Sequence, residues 1–267
     1  MSRHLLGRAW RSQRTKLIAV GLGLILWGSL MPIVYEAFKD QIGKLVASGD
    51  MPQQFAQFGG GDLFSLPGAV ALGFIHPIAV ALTLVFALGF PVAAIAGERQ
   101  RGTLEVLLAR PLSRRRLYLT MLAATWLFVG VAVATHIVGT IGGSLLGGAV
   151  GELRLDRLPI MWLNGVLVFG AFGSVSLAAS VSLDRLTPAL GLSLGFFLIE
   201  YFVEVLGSLW TDAKWLQPYS VFHYLDPKGT LSGSATAGDW LVPIAVVVVS
   251  VVAALVIFPR RDLAAPS

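Results

Sequence analysis

From Leu17 to Tyr35 the chain carries no Asp, Glu, Lys or Arg. Comparable runs recur at 70–96, 117–147, 159–181 and 240–258, and another at 188–209 is interrupted only by Glu200 and Glu204. A helix rises about 1.5 Å per residue, so roughly 20 apolar residues cross the ~30 Å hydrocarbon layer of a bilayer. These six runs predict an all-α integral membrane protein, organised as a single transmembrane domain over residues 1–267.

The composition excludes other classes. Only 13% of residues are charged and 55% are hydrophobic, against about 25% charged in a soluble domain. There is no cysteine, which removes disulfides, thiolate metal sites and cysteine nucleophiles. The net charge of +5 sits beside the apolar runs and forms no basic domain, so it reads as topology and no nucleic-acid partner is expected. The N-terminus looks superficially like a signal peptide, but its apolar stretch outruns a usual h-region without a convincing cleavage site and is read as retained.

Residues 1–16 place Arg3, Arg8, Arg11, Arg14 and Lys16 around Leu5, Leu6 and Trp10. They predict an N-terminal interfacial helix on an anionic leaflet, or else a plain basic flank. After the first run, the polar stretch from Glu36 to Asp50 reads as a short surface helix, and Gly59, Gly60 and Gly61 as a flexible joint. Pro77 and Pro91 predict kinks in the second span. Gly139, Gly143 and Gly147 recur every fourth residue and admit a close helix backbone; Gly191 and Gly195 repeat the pattern in the fifth span.

Sidedness follows from the basic residues. The five before the first span, Arg99, Arg101, Arg110, Arg114, Arg115 and Arg116 between the second and third, Arg185, and Arg260 with Arg261 place 14 of the 20 Lys and Arg on one side. By the positive-inside rule both termini are cytoplasmic, which agrees with six spans.

The connector from Gly97 to Tyr118 is the most informative stretch. Gly102 breaks the preceding helix, Thr103 offers a cap, Glu105 sits in the first turn of a new helix, and Pro111 stops it, giving a short helix over 103–110. Leu104, Leu107 and Leu108 share one apolar stripe, with Glu98, Arg101 and Glu105 along an adjacent charged edge. Such a stripe implies something to dock into. Ser113 offers a cap for the third span, and Arg114 to Arg116 an anchor at the headgroups.

Here the sequence resembles the permease subunits of the ABC-2 exporter family (type V exporter-like), through Glu98, Gly102, Thr103, Leu104, Glu105, Leu107, Leu108, Pro111 and Arg114. The resemblance continues through Phe222-His223-Tyr224-Leu225-Asp226-Pro227 before the last span and Phe258-Pro259-Arg260-Arg261-Asp262-Leu263 after it. It implies that the connector is a cytoplasmic coupling helix seated in an ABC ATPase subunit on a separate chain, with Arg101 and Arg110 in the same segment. It also implies ATP and Mg on that partner, a second permease copy, identical or not, and a location in the inner membrane. The chain itself is then not an enzyme. The cargo implied is a hydrophobic or amphipathic compound such as a drug, antibiotic, peptide or lipid. Permeases supporting multicopper-enzyme maturation look comparable over this region, and a non-transporting scaffold that recruits an ATPase is a third reading. Thr120 and Met121 stand where many family members have Gly-Lys, which puts the subfamily in doubt.

Other candidates are weaker. Gly97, Gly102 and Thr103 approach a phosphate-binding loop but lack its lysine and follow no strand. Gly191, Ser193 and Gly195 fit the letters of a hydrolase elbow inside an apolar helix. His76 and His136 are isolated, with no metal-ligand spacing. Glu200 and Glu204, one turn apart, are either a substrate pathway that attracts a cationic amphiphile or carries a proton, or wetted carboxylates near the outer end paired with Lys214 or Lys228. The segment from Trp210 to His223 resembles the partly re-entrant connection of the exporter family, or is an interfacial loop.

Overall fold

The computed structural model describes residues 3–48, 65–109 and 112–261. Among them are six helices long and apolar enough to cross a membrane, and no strand. The glycine joint at 59–61, together with Arg110, Pro111, Asp262 and Leu263, lies outside the described residues.

The N-terminal interfacial helix is not a separate element. α1 runs unbroken from Arg3 to Ala47, 45 residues, absorbing the basic segment, the first span and the polar stretch after it. The reason lies in its stripe: Leu5 and Leu6 pack against the core, and Ala9, Leu17, Val20 and Leu24 are buried. One face therefore carries across the boundary at Lys16, and nothing bends the helix there. At about 68 Å it is longer than the ~30 Å hydrocarbon layer even when strongly tilted. Its far end is held by the turn after the third span, where Tyr35 donates to Glu152 at 2.9 Å and Lys39 lies 2.7 Å from Glu36 and 3.7 Å from Glu152.

The second span starts later than its hydropathy suggests. α2 (Leu66–Ile75) is a separate buried helix, and α3 (Pro77–Gln100) is the span proper. The break is at His76, whose extended backbone (ψ 138°) is what a residue before proline prefers. α2 is fastened to α1 by Trp27, whose Nε1 donates to the Gly73 carbonyl at 2.9 Å. Pro91 sits within a helical run that continues from Pro77 to Gln100. Two π-helical stretches, Val85–Gly89 and Ala93–Gly97, flank it. The Ser180 hydroxyl from the fourth span donates to the Val92 carbonyl and accepts from Ala96 N–H, both at 2.9 Å. A hydroxyl thus stands where the α-helical bond between those two groups would be, a recognised cause of a bulged helix. Ser180→Ala should cost about 1–2 kcal/mol by leaving one buried backbone pair unsatisfied, read as a lower melting temperature in detergent.

α5 (Arg114–Gly147) is capped by Ser113, as its sequence suggests, and closed by Gly148 at φ 86°. It lies parallel to α1, with Thr135 beside Gly21 and Gly139 and Gly143 against the backbones of Ile25 and Ser29. Gly28 answers from α1, where a Cβ would meet the His136 carbonyl at 2.5 Å. The glycine spacing thus marks a real close approach. The pair in the fifth span does not, within this chain: no described atom lies within 4 Å of a Cβ at Gly191 or Gly195. α6 (Leu158–Ser182) forms the centre of the bundle, burying Phe169, Phe172 and Leu177. α7 (Leu186–Leu209) and α9 (Leu241–Arg260) flank it. Between them, 3-10 turns at Thr211–Tyr219 and Phe222–Tyr224 and the short α8 (Pro227–Ser232) fold back over the end of the bundle away from the termini.

Candidate functional site

The connector between the second and third spans forms a short helix, α4 (Thr103–Leu108), after a left-handed Gly102 (φ 71°). Gly102 is the residue that tolerates this conformation, and it turns the chain as the sequence suggests. Thr103 does not act as the cap. Its hydroxyl sits 2.6 Å from Glu98 Oε2, and Arg101 lies 2.8 Å from the other Glu98 oxygen, so Glu98 ties the end of α3 to the start of α4. Arg8 approaches the same carboxylate at 3.9 Å.

The apolar stripe is partly spent inside the protein. Leu104 is 1% exposed in the core and Leu108 packs against it, whereas Val106 is 69% exposed and Glu105 and Ala109 lie open. The side chain of Leu107, and all of Arg110 and Pro111, lie outside the described residues. The exposed residues of α4 and its flanks are therefore Arg101, Gly102, Thr103, Glu105, Val106 and Ala109.

Arginines read as topological carry structure. Arg114 Nη1 lies 3.2 Å from the Phe258 carbonyl and 3.3 Å from that of Pro259, and also contacts the Arg261 carbonyl, capping the end of α9. Asp184, in the turn between α6 and α7, accepts Arg99 at 2.8 Å and Arg261 at 2.5 Å, and Arg261 also donates to the Val181 carbonyl at 3.1 Å. Gln100 accepts the Leu186 N–H at 2.9 Å. Both flanks of α4 are thus bolted to the ends of the last three spans. Sequence reading missed Arg99, Asp184 and Gln100; the lone acidic residue beside Arg185 was the available signal.

At the opposite end, Glu200 and Glu204 do face one way, towards the connector of 211–240. Glu200 Oε2 accepts the Val221 N–H at 2.6 Å. Glu204 accepts Gln217 at 2.9 Å through one oxygen, and its other lies 2.9 Å from His223 Nδ1. Both carboxylates hold this connector down, and Glu204 also borders a cavity of about 600 Å³. Asn164 of α6, which sequence reading passed over, donates to the Tyr224 carbonyl at 2.7 Å and accepts the Asp226 N–H at 3.1 Å. A single amide side chain in an otherwise apolar helix was its signal.

His136 and His76 are structural: His136 is buried and stacked on Phe74 at 4.0 Å, and His76 accepts the Ile78 N–H at 3.3 Å. Ser193 donates to the Ala189 carbonyl within α7, which leaves no hydrolase elbow.

The hydrogen bond to Glu204 holds the His223 imidazole above its ordinary pKa of 6.5, against the opposing effect of burial; Asp226 and Asp239 act in the same direction as Glu204. A raised folded-state pKa means that this stabilisation is complete below about 6.5 and is lost as pH rises through the folded value. The ring is 37% exposed, which limits the effect to roughly half a kcal/mol or less. The melting temperature should therefore fall slightly between pH 6 and pH 8.5, and Glu204→Gln should flatten that slope.

Six membrane-length helices, with a short helix slung between the second and third and bolted to the remainder, define a polytopic α-helical membrane protein. The chain belongs to the ABC-2 family of transporter proteins, whose sequence profile, "ABC-2 family transporter protein", matches residues 8–263. It is 29% identical over 273 aligned positions to a multidrug efflux system permease protein of Mycobacterium tuberculosis, an alignment covering 96% of this chain and 44% of that one. The chain thus spans less than half the length of that relative.

Proposed function

We propose that this chain is the membrane subunit of an ATP-driven exporter in the cytoplasmic membrane, with both termini in the cytoplasm. A nucleotide-binding ATPase on a separate chain supplies ATP and Mg chemistry. α4 is the coupling helix, offering Glu105 and Val106 to the ATPase while Leu104 anchors it to the bundle. The observation that carries this reading is the bolting of both α4 flanks, through Glu98, Gln100, Arg99 with Asp184, and Arg114. A push on α4 is thereby delivered to several spans at once. The exported compound is hydrophobic or amphipathic, in keeping with the multidrug efflux named for the M. tuberculosis relative. A second permease copy completes the complex. The open face of α7 at Gly191 and Gly195 and the greater length of that relative both favour this.

Co-expression with a candidate nucleotide-binding ATPase tests the reading. Glu105→Lys combined with Val106→Asp changes only exposed side chains, so the permease should fold. Co-purified ATPase and coupled ATP hydrolysis should fall about tenfold or more, the loss expected at a small interface hot spot. Retention of both would remove α4 as the coupling element.

A further inference from the structure

The cavity beneath the connector of 211–240 is built from three elements. α2 and the break after it contribute Leu72, Ile75 and His76 among others; α7 contributes Tyr201, Glu204, Val205 and Ser208; the connector contributes Phe222 to Lys228 and Asp239. Its volume of about 600 Å³ falls in the range of drug-sized ligand sites, which are mostly apolar with a few placed polar groups. Tyr201 and Phe222 meet edge to face at 5.2 Å on its wall, and Tyr224 adds a third ring. Its charged lining is Glu204, Asp226 and Asp239 against Lys228, with His76 and His223 as the titratable rings. Even with the His223 ring protonated, the three carboxylates outnumber it and the Lys228 ammonium.

We propose that this cavity binds a lipophilic aromatic monocation, held by ring faces and by the Glu204 carboxylate. Aromatic faces attract a cation, and they do so more strongly where water is excluded. A carboxylate in a partly closed apolar site adds a Coulombic attraction that bulk water would screen. An anion of the same shape meets the opposite field. The connector itself closes the site: Asn164 and Glu200 fix its backbone, and the Glu204 bonds to Gln217 and His223 fix its side chains over the cavity. The assignment deepens the export reading by naming a cargo class. It depends on that reading only for transport, since binding requires no ATPase.

The test uses the purified full chain in detergent, with tetraphenylphosphonium as the probe and tetraphenylborate as the same shape with the charge reversed. The phosphonium should bind saturably and the borate should not displace it. Glu204→Gln should weaken the phosphonium by about tenfold or more, and Lys228→Gln should tighten it. Loosening of the connector would weaken binding in both variants, whereas an electrostatic site moves them in opposite directions. Equal affinity for the two probes, or no change in Glu204→Gln, overturns the assignment. ATP-driven transport that persists while the cavity variants leave binding unchanged would sink the cavity alone. Binding as expected with no ATP-driven movement of the phosphonium would sink export and leave the cavity standing.

Discussion

Gly143→Leu should leave little correctly folded protein, and Gly142→Leu, one residue earlier, should be tolerated. A Cβ at Gly143 would overlap the carbonyl and Cα of Ser29, whereas nothing lies within 4 Å of one at Gly142. Overpacking against flexible side chains typically costs about 1–3 kcal/mol. Here the obstacle is the backbone of a 45-residue helix, which cannot step aside without pulling α1 from α5 along its whole parallel contact. In lipid no hydrophobic force returns the two helices to each other, and what holds them is close packing. A loss of about 3 kcal/mol or more is therefore expected. Size-exclusion profiles and melting curves of the two variants in the same detergent separate the cases. If both behave alike, α1 does not seat on that glycine face.

Arg114→Leu should detach the end of the last span. The guanidinium reaches the carbonyls of Phe258, Pro259 and Arg261, groups that the last turn of a helix leaves without an internal partner. Bonds to a charged donor contribute roughly 1.5–3 kcal/mol each and are not additive, so a loss of about 2–4 kcal/mol is expected. Arg114→Lys should recover only part of it, because an ammonium lacks the planar fork of donors. Limited proteolysis near Arg260, compared among the wild type and both variants, reads the release directly. Uniform resistance in all three would mean that α9 is held by its packing against α6 and by the bonds of Arg261 to Val181 and Asp184, without Arg114. Since Arg114 opens the helix that follows α4, the proposed coupling role predicts that its loss also lowers ATPase stimulation even where α4 itself is unchanged.

Much of this molecule was legible because membrane folding is dominated by one-dimensional signals. The apolar runs, the cap at Ser113, the helix break at Gly102 and the glycine face of α5 were all readable from residue type and spacing. What misled were boundaries and partners. The segment at 1–16 has the composition of an interfacial helix, yet its stripe continues into the first span. Pro91 has the identity of a kink, yet the π-helical turns around it involve Ser180, far away in sequence, whose hydroxyl stands between Val92 and Ala96. Thr103 looked like a cap and proved to be a ligand for Glu98. The stripe of Leu104 and Leu108 looked like a docking face and is turned inward, leaving Val106 outermost.

The sequence by itself determined that the chain spans a membrane six times, which side its basic residues favour, and that a short charged helix interrupts the second and third spans. These depend on solvation free energies summed over neighbouring residues, which need no knowledge of the fold. Only the tertiary structure decided that Asp184 gathers Arg99 and Arg261, that Glu200 and Glu204 clamp a connector of later residues, and that a cavity with three carboxylates opens beneath it. Such features require groups from separate spans to come within about 3 Å of each other. Their positions are set by how the helices pack, which hydropathy along the chain does not encode.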